Sequence, residues 1–465
     1  MALIIGISGI RGIAGEDLTP QIAVDFAQAF GTYLRQGRGR SPYRPDSSGK
    51  TRLVLGRDTR PTGEFLKHAV ISGLLVSGCE VINLEICPTP TVQLMVGELN
   101  ADGGIVLTAS HNPQEYNGLK FISSEGIFLN AGQVKNFLDI YKKRKYNIDW
   151  DKLGSLKRCY VGLETHLKKV LELLTVELIQ KRKFKVAVDC CNGAGSLIVP
   201  LFLKKLDCRV REINTQPTGK FPHSPEPIPE NLAALCSEVK NSHADVGFAL
   251  DADADRLAIV SEKGNPLGEE LTLALAVRFF LSRHPGTVVT NLSTTSLVDD
   301  VAAEFNCLVI RTPVGEINVV EGAKQQQAVI AGEGNGGVIL PALHYGRDGL
   351  VGIGLILEYL ATAQKSISTL VGELPRYFMA KKKYPGGGRF ISEVGSRLRD
   401  KYKDRKIDFT DGMKIVDKNW WIHIRPSRTE PVMRVIAEAK TQQLLDKILG
   451  EVEFLVKNGA ANLAD

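Results

Sequence analysis

Four short polar segments hold residue types that could work together on a charged group. Asp251-Ala-Asp253-Ala-Asp255-Arg256 follows the apolar run Val246-Gly-Phe-Ala-Leu250. Three carboxylates two residues apart at a strand end can curl around one ion, and an all-oxygen, hard ligand set favours Mg²⁺ or Ca²⁺ over zinc. Without a cation such carboxylates repel one another and their pKa values rise. An EF-hand loop is the alternative, since Glu262 falls at its twelfth position. It fails because Arg256 stands where that loop needs glycine, and Leu257-Ala-Ile-Val260 reads as a strand. Arg256 is placed beside the cage to meet an anion.

Thr108-Ala-Ser110-His111-Asn112-Pro113 follows the strand-like Gly104-Ile-Val-Leu107. Ser110 and His111 are neighbours and no G-x-S-x-G elbow occurs, so a hydrolase triad is excluded. By itself Ser110 would be a turn or helix-cap residue. Near Mg²⁺ and arginines it could instead carry a phosphate, whose roughly −1.5 to −2 charges those groups would balance. Lys120, on the same stretch, could serve as general acid or base if its pKa is lowered, or could neutralise phosphate. Arg425, Ser427 and Thr429 alternate, so in an extended loop they share a face, and a guanidinium with two hydroxyls grips a phosphate. In Gly332-Glu333-Gly-Asn335-Gly-Gly337 the backbone can approach a ligand closely, Glu333 can accept from sugar hydroxyls, and Asn335 can donate or accept. Neither G-x-G-x-x-G nor a P-loop occurs, which disfavours a nucleotide-driven kinase.

Segments so far apart in 465 residues need a fold that brings distant loops together. That length exceeds one core and implies three or four domains. Apolar runs of strand length recur, each followed by a polar turn and a helical pattern: Leu53-Val-Leu55, Val186-Ala-Val188 and Val288-Val289. They form a degenerate repeat of α/β units with mostly parallel, helix-covered sheets. The tail differs, with a helix over Ser392 to Lys401, strands at Met413-Lys-Ile-Val416 and Trp420-Trp-Ile-His-Ile424, and a helix from Leu444 to Lys457. That order suits a small α+β domain. The expected domains are 1–150, 151–265, 266–374 and 375–465.

Composition is that of a soluble globular protein, 43% hydrophobic and 24% charged, with 58 basic and 52 acidic side chains giving a net charge of +6. The basic runs Lys142-Lys-Arg-Lys145 and Lys381-Lys-Lys383 are short and lack interleaved aromatics, so nucleic-acid binding is not expected. Solvated surface explains both runs. The eight scattered cysteines contain no CxxC pair. With no signal-like N-terminus and no apolar stretch of spanning length, a cytoplasmic protein with reduced cysteines and no membrane partner is expected.

Together and in this order, the four segments resemble those of the α-D-phosphohexomutase superfamily. The likeness extends to Gly9-Ile-Arg11-Gly12, Gly56-Arg57-Asp58-Thr59-Arg60, Pro88-Thr-Pro90 and Phe221-Pro-His223. It implies three related α/β domains with mixed, mostly parallel sheets and a C-terminal α+β domain around a central cleft. It further implies that Ser110 is a phosphoserine, that Ser110, Asp251, Asp253 and Asp255 hold Mg²⁺, and that Arg11, Lys120 and Arg256 support transfer. Glu333 and Asn335 would then meet the sugar, while Arg425, Ser427 and Thr429 hold the phosphate that is not reacting. The implied substrate is a small phosphosugar, with a sugar bisphosphate as intermediate and activator, and the protein a monomer or homodimer. The Gly-Glu-Gly-Asn-Gly-Gly loop resembles that of glucosamine-type members. It points to interconversion of glucosamine 6-phosphate and glucosamine 1-phosphate, with glucose or mannose phosphates as the alternative. Gly337 stands where some members have His, and Arg428 where a small or amide residue is usual.

Overall fold

The computed structural model describes residues 3–37, 51–386, 388–427 and 432–461. Its contacts group into two compact units: Met1–Phe279 with Asn335–Val371, and Phe280–Gly334 with Gly372–Asp465. The expected third segment, 266–374, is therefore shared between the units.

The first unit holds two mixed sheets. Seven strands run in the order Ile4–Gly6, Gly9–Ile13, Tyr116–Ser123, Gly103–Leu107, Thr51–Arg57, Cys79–Ile86 and Ser155–Arg158. The first four pair antiparallel and the last four parallel. Strands such as Thr51–Arg57 and Gly103–Leu107 are almost wholly buried, as a helix-covered sheet requires. The helix Pro20–Arg35 starts at Thr19, whose hydroxyl accepts from Ile22 N, with proline in its first turn. The helix Ala131–Lys143 opens with a reciprocal capping box between Asn130 and Gln133. These helices and the sheet enclose an aromatic cluster in which Phe121 lies 4.9 Å from Phe30 and 4.6 Å from Phe137.

The second sheet orders Leu257–Ser261, Val246–Leu250, Lys185–Asp189 and Arg209–Ile213. Its first pair is an antiparallel hairpin joined by the three aspartates, so the segment after Arg256 is a strand and the EF-hand alternative is excluded. The remaining pairs are parallel. The strand Gly337–Ile339 and the buried helix Gly349–Ala363 also belong to this unit.

The second unit contains the parallel strands Val309–Thr312, Val288–Asn291 and Ile330–Glu333. It also has a five-stranded antiparallel sheet: Phe378–Pro385, Val432–Ala439, Trp420–Pro426, Met413–Val416 and Lys406–Asp408. The helices Gly388–Lys401 and Gln442–Ala461 pack on this sheet through Val394, Leu398, Leu445, Ile448 and Val452. Both helices were expected and run further than their apolar spacing alone marks. The Lys381–Lys383 run lies in the edge strand Phe378–Pro385, where charge deters pairing with other chains.

Among the described residues no helix is long and apolar enough to cross a membrane. All eight cysteines are free thiols, and burial pushes Cys79 and Cys87 up to about 12. Phe30 has no exposed surface. Phe30→Ala should lower unfolding stability by about 3–5 kcal/mol in a urea titration. A loss below about 1 kcal/mol would show that the aromatic cluster repacks and does not anchor this sheet.

Candidate active site

The sequence puts the serine loop after one strand and the aspartates after another, and the first unit brings the two ends together. Ser110 Oγ donates to Asp251 Oδ2 at 2.9 Å across 141 positions of chain. Ser110 is 5% exposed and sits in the left-handed region at φ 51°. That conformation costs a non-glycine residue about 1–3 kcal/mol and persists only where neighbours over-determine it. Those neighbours come from the Gly56–Arg60 motif. Fully buried Arg60 donates to the carbonyls of Ser110 (2.9 Å) and Asn112 (2.6 Å). Asp58 accepts from Thr108 Oγ1 at 2.7 Å, and Thr108 Oγ1 in turn accepts from Ser110 N at 2.9 Å.

Asp251, Asp253 and Asp255 are all buried, and their ligand atoms lie within 4.8 Å of one another. Asp251 Oδ1 accepts the N–H groups of Asp255 and Arg256. Asp253 Oδ2 accepts Thr89 Oγ1 at 2.6 Å and Lys120 Nζ at 2.7 Å. Asp255 Oδ2 accepts Arg347 at 2.6 Å. Asp253 Oδ1 and Asp255 Oδ1 are buried without a hydrogen-bond partner. Two orphaned anionic oxygens beside a third carboxylate and a serine hydroxyl fit a hard divalent cation. Burial, followed by repulsion from Asp255 and Asp253, pushes the Asp251 carboxyl well above the usual range. Burial would do the same to Asp253, but Lys120 and Thr89 outweigh it and hold that carboxyl low.

Lys120 reaches the cage from Tyr116–Ser123, and Arg11 from the adjacent antiparallel strand, where it pairs with Gly118. The Gly9 of that motif lies at φ 102°, and a Cβ there would meet Leu119 O at 2.1 Å, so only glycine permits this approach. Arg11 donates to Asn112 Oδ1 at 3.2 Å. Burial and then Arg256 lower its pKa. Burial would also depress Lys120, but Asp253 and Asp255 prevail and raise it. The lowered pKa that a lysine base needs is thus not the direction this arrangement gives. Arg256 has its guanidinium 3.6 Å from Glu226 and 3.8 Å from Asp255. Arg256 and then burial keep His111, 3.4 Å from Ser110 Oγ, well below the usual histidine range and hence neutral.

Asn335 belongs to the same unit, with its Oδ1 accepting from Gly337 N at 3.2 Å. Glu333, Arg425 and Ser427 belong to the second unit. Glu333 is buried and accepts from Asn291 Nδ2 at 2.9 Å. Arg425 lies 3.4 Å from Asp411, and Ser427 N donates to Val432 O at 2.9 Å. Thr429 and Arg428 lie outside the described residues. Thr89, Arg60, Asp58 and Arg347 join the site although their residue types and spacing do not mark them for it. The Pro88-Thr-Pro90 and Gly56–Arg60 motifs already contained the first three, but their partners stand 50 or more positions away.

A buried serine bonded to one of three clustered carboxylates, with Lys120, Arg11, Arg60, Arg256 and Arg347 on the same two loops and their neighbours, has the groups that phosphoryl transfer requires. Comparison with known proteins agrees. Models described as phosphoglucomutase/phosphomannomutase α/β/α domains I, II and III match residues 2–147, 164–264 and 268–378, and the C-terminal domain matches 385–453. The chain belongs to this family, part of the α-D-phosphohexomutase superfamily. Its fold is thus three α/β domains followed by an α+β domain, and it is an intramolecular phosphotransferase acting on small phosphosugars. The chain is 39% identical to a phosphoglucomutase/phosphomannomutase of Thermococcus kodakarensis, covering 95% of this chain and 96% of the relative. It is 34% identical to a probable phosphoglucosamine mutase of Methanopyrus kandleri, covering 97% of each. Among solved structures, a family protein from Burkholderia thailandensis superposes with TM-score 0.84 at 26% identity, covering 98% of each chain.

The Phe221-Pro-His223 motif supports the serine loop from the side. The Arg60 guanidinium lies 4.8 Å over the Phe221 ring. His223 donates from Nε2 to Asp189 Oδ2 at 3.1 Å and from Nδ1 to Ser224 O at 2.8 Å, which requires the cation. Burial disfavours that cation, but Asp189, Cys191 and Ser224 outweigh it and push the pKa up to about 11. A histidine raised above its unfolded value stabilises the fold fully below about pH 6.5, and this contribution fades as pH climbs towards the folded value. The stability gap between wild type and His223→Gln should therefore shrink steadily from pH 6.5 to about 11. A gap constant over that range in denaturant titrations would mean that His223 is neutral in the fold.

Proposed function

We propose that this phosphohexomutase moves a phosphoryl group between O6 and O1 of a hexose, through a phosphoserine at Ser110 and a sugar bisphosphate. The observation that carries the reading is the Ser110 hydroxyl held on Asp251 inside a cage with two orphaned carboxylate oxygens. Asp251, Asp253, Asp255 and phosphorylated Ser110 would hold Mg²⁺, which when bound supplies positive charge to offset the phosphoryl in transit. In the forward step the bond between Ser110 Oγ and phosphorus breaks as one forms to a sugar hydroxyl oxygen, and the proton lost by that hydroxyl is balanced by one gained at Ser110 Oγ. After the bisphosphate turns over, Ser110 Oγ takes its other phosphate as the bond from phosphorus to the sugar oxygen breaks, and the proton Ser110 loses is balanced by one gained at that sugar oxygen. We assign Arg11, Arg256 and Lys120 to the spread charge of the moving group, with Lys120 as the proton donor on return. Glu333 and Asn335 are assigned to sugar hydroxyls, and Arg425, Ser427 and Thr429 to the phosphate at rest. Ser110 must be shielded from water between steps, since hydrolysis would make the protein a phosphatase.

For the sugar, the 39% identity to a phosphoglucomutase/phosphomannomutase supports glucose and mannose phosphates first. This displaces the glucosamine preference expected from the loop. Glucosamine 6-phosphate is the second reading, favoured by Gly332–Gly337 and by relatives such as the one from Methanopyrus kandleri.

Turnover should be measured with glucose 1-phosphate, mannose 1-phosphate and glucosamine 6-phosphate, with Mg²⁺ and trace bisphosphate, while free phosphate is followed. Ser110→Ala should lower kcat at least about a thousandfold, and Asp253→Asn about a hundredfold or more. Full turnover in Ser110→Ala would end the phosphoserine mechanism, and stoichiometric phosphate release would make the protein a phosphatase. A kcat/KM highest for the amino sugar would reverse the order of the two sugar readings.

A further inference from the structure

Each aspartate of the cage already commits an oxygen to the protein. Asp251 uses both, Asp253 gives Oδ2 to Thr89 and Lys120, and Asp255 gives Oδ2 to Arg347. We propose that Arg347 sets the cation preference of this cage, by pinning Asp255 through Oδ2 so that the carboxylate turns Oδ1 alone, and not both oxygens at once, towards an ion. The inference rests on the cage reading above and goes beyond it. Single-oxygen carboxylates suit Mg²⁺, which demands six ligands in a tight octahedron. Ca²⁺ takes six to eight and readily accepts both oxygens of one carboxylate. Holding Asp255 to one oxygen therefore selects against Ca²⁺ by coordination number, without a change in ligand identity.

The chain delivers Arg347 by two devices. The first is Gly337, where a Cβ would stand 2.2 Å from Arg347 Cδ and 2.9 Å from its Cγ. Any larger residue there would take the space that the arginine uses to reach Asp255. The glycine at 337 and the arginine at 347 are in this sense one feature. The second device is a rivet at the next residue. Asp348 Oδ1 accepts from Leu350 N at 2.9 Å and Val351 N at 3.4 Å, capping the helix Gly349–Ala363. Its Oδ2 accepts from His166 Nε2 at 2.7 Å and His344 Nε2 at 3.0 Å. Asp348 N donates to Val338 O, and Gly349 N to Ala254 O within the aspartate loop itself. The backbone just after Arg347 is thus tied both to the strand Gly337–Ile339 and to the aspartate loop.

His166, His344 and Asp348 also lie close enough together to hold a metal. Their hydrogen bonds argue against one. Gly346 N donates to His344 Nδ1 at 2.9 Å, so the proton of that neutral ring is on Nε2, facing Asp348. A metal on Nε2 would force a proton onto Nδ1, against the Gly346 N–H. Thr91 Oγ1 lies 2.8 Å from His166 Nδ1, which completes that ring as well.

Titration calorimetry of Mg²⁺ and Ca²⁺ on the full-length protein tests the proposal, without reliance on turnover. Arg347→Met removes a positive charge, which tightens both cations alike, so the ratio of the two dissociation constants isolates the number of oxygens offered. That ratio should move towards Ca²⁺ by about tenfold or more. Arg347→Lys, with one compact charge in place of the fork, should move it less. Gly337→Ala keeps the arginine but displaces it, and should shift the ratio in the same direction even if Arg347→Met fails to fold. Equal changes in both affinities would leave Arg347 a structural residue only and overturn the proposal. Failure of the wild-type protein to bind either cation, or an Asp253→Asn titration matching wild type, would instead remove the cage reading itself.

Discussion

Three aspartates with ligand atoms within 4.8 Å and almost no exposed surface are the constraint on which the rest depends. In a medium of low dielectric such a group cannot stay ionised unaided. The structure answers with cations from distant segments. Lys120 comes from one sheet, Arg347 from the stretch before a buried helix, and Arg256 from the loop itself. They still leave Asp253 Oδ1 and Asp255 Oδ1 without hydrogen bonds. A fold aimed only at stability would have satisfied or removed these atoms. Two buried carboxylate oxygens without hydrogen bonds, in a loop that also holds the serine hydroxyl, leave negative charge unbalanced, and that fits a divalent cation.

The same need explains why the aspartate loop is held so firmly by its backbone. Thr89 N donates to Asp253 O, Ala194 N to Ala252 O and Gly349 N to Ala254 O. Three separate segments thus pin three consecutive carbonyls, with Ala254 in the left-handed region at φ 55°. The serine loop is pinned likewise by Arg60 and Asp58, with Ser110 in the same region. Two strained loops facing each other fix the serine–aspartate distance before any ligand arrives. Pre-organisation of this kind lets charge stabilisation act in transfer without the site having to rearrange first.

Parts of this were legible in the sequence because their causes are local. Alternating aspartates after an apolar run, a serine after another, and helix-period spacing near the C-terminus all show in short windows. The hidden part is what acts across long separations. Thr89 looks like a helix-start residue between prolines, and nothing nearby marks its bond to Asp253. Arg347 precedes an unremarkable Asp-Gly pair, and its role appears only when Gly337 is seen to make room for it. Lys120 shows the same limit in charge. Burial alone suggests a lowered pKa, yet two carboxylates brought from over a hundred positions away reverse the sign.

The sugar stayed illegible for a different reason. The groups proposed to act on the phosphoryl group (Ser110, the aspartates, Lys120 and the arginines around them) all belong to one unit. Glu333, Arg425 and Ser427, the residues with the chemistry to read hydroxyls and a resting phosphate, belong to the other. The glycine loop that joins Glu333 to Asn335 is cut by that division. Transfer chemistry constrains the first set tightly, since a hydroxyl, a cation and a phosphoryl group are the same for any hexose. It constrains the second set little, because a 2-hydroxyl and a 2-ammonium differ only by two donors, the lost acceptor lone pairs and one charge. Relatives named for glucose and mannose and relatives named for glucosamine accordingly match this chain over nearly its whole length, at 39% and 34% identity. Discrimination among such substrates resides in how a few polar groups are satisfied. Buried Glu333 accepts from Asn291, so its carboxylate is directed by the second unit's own residues.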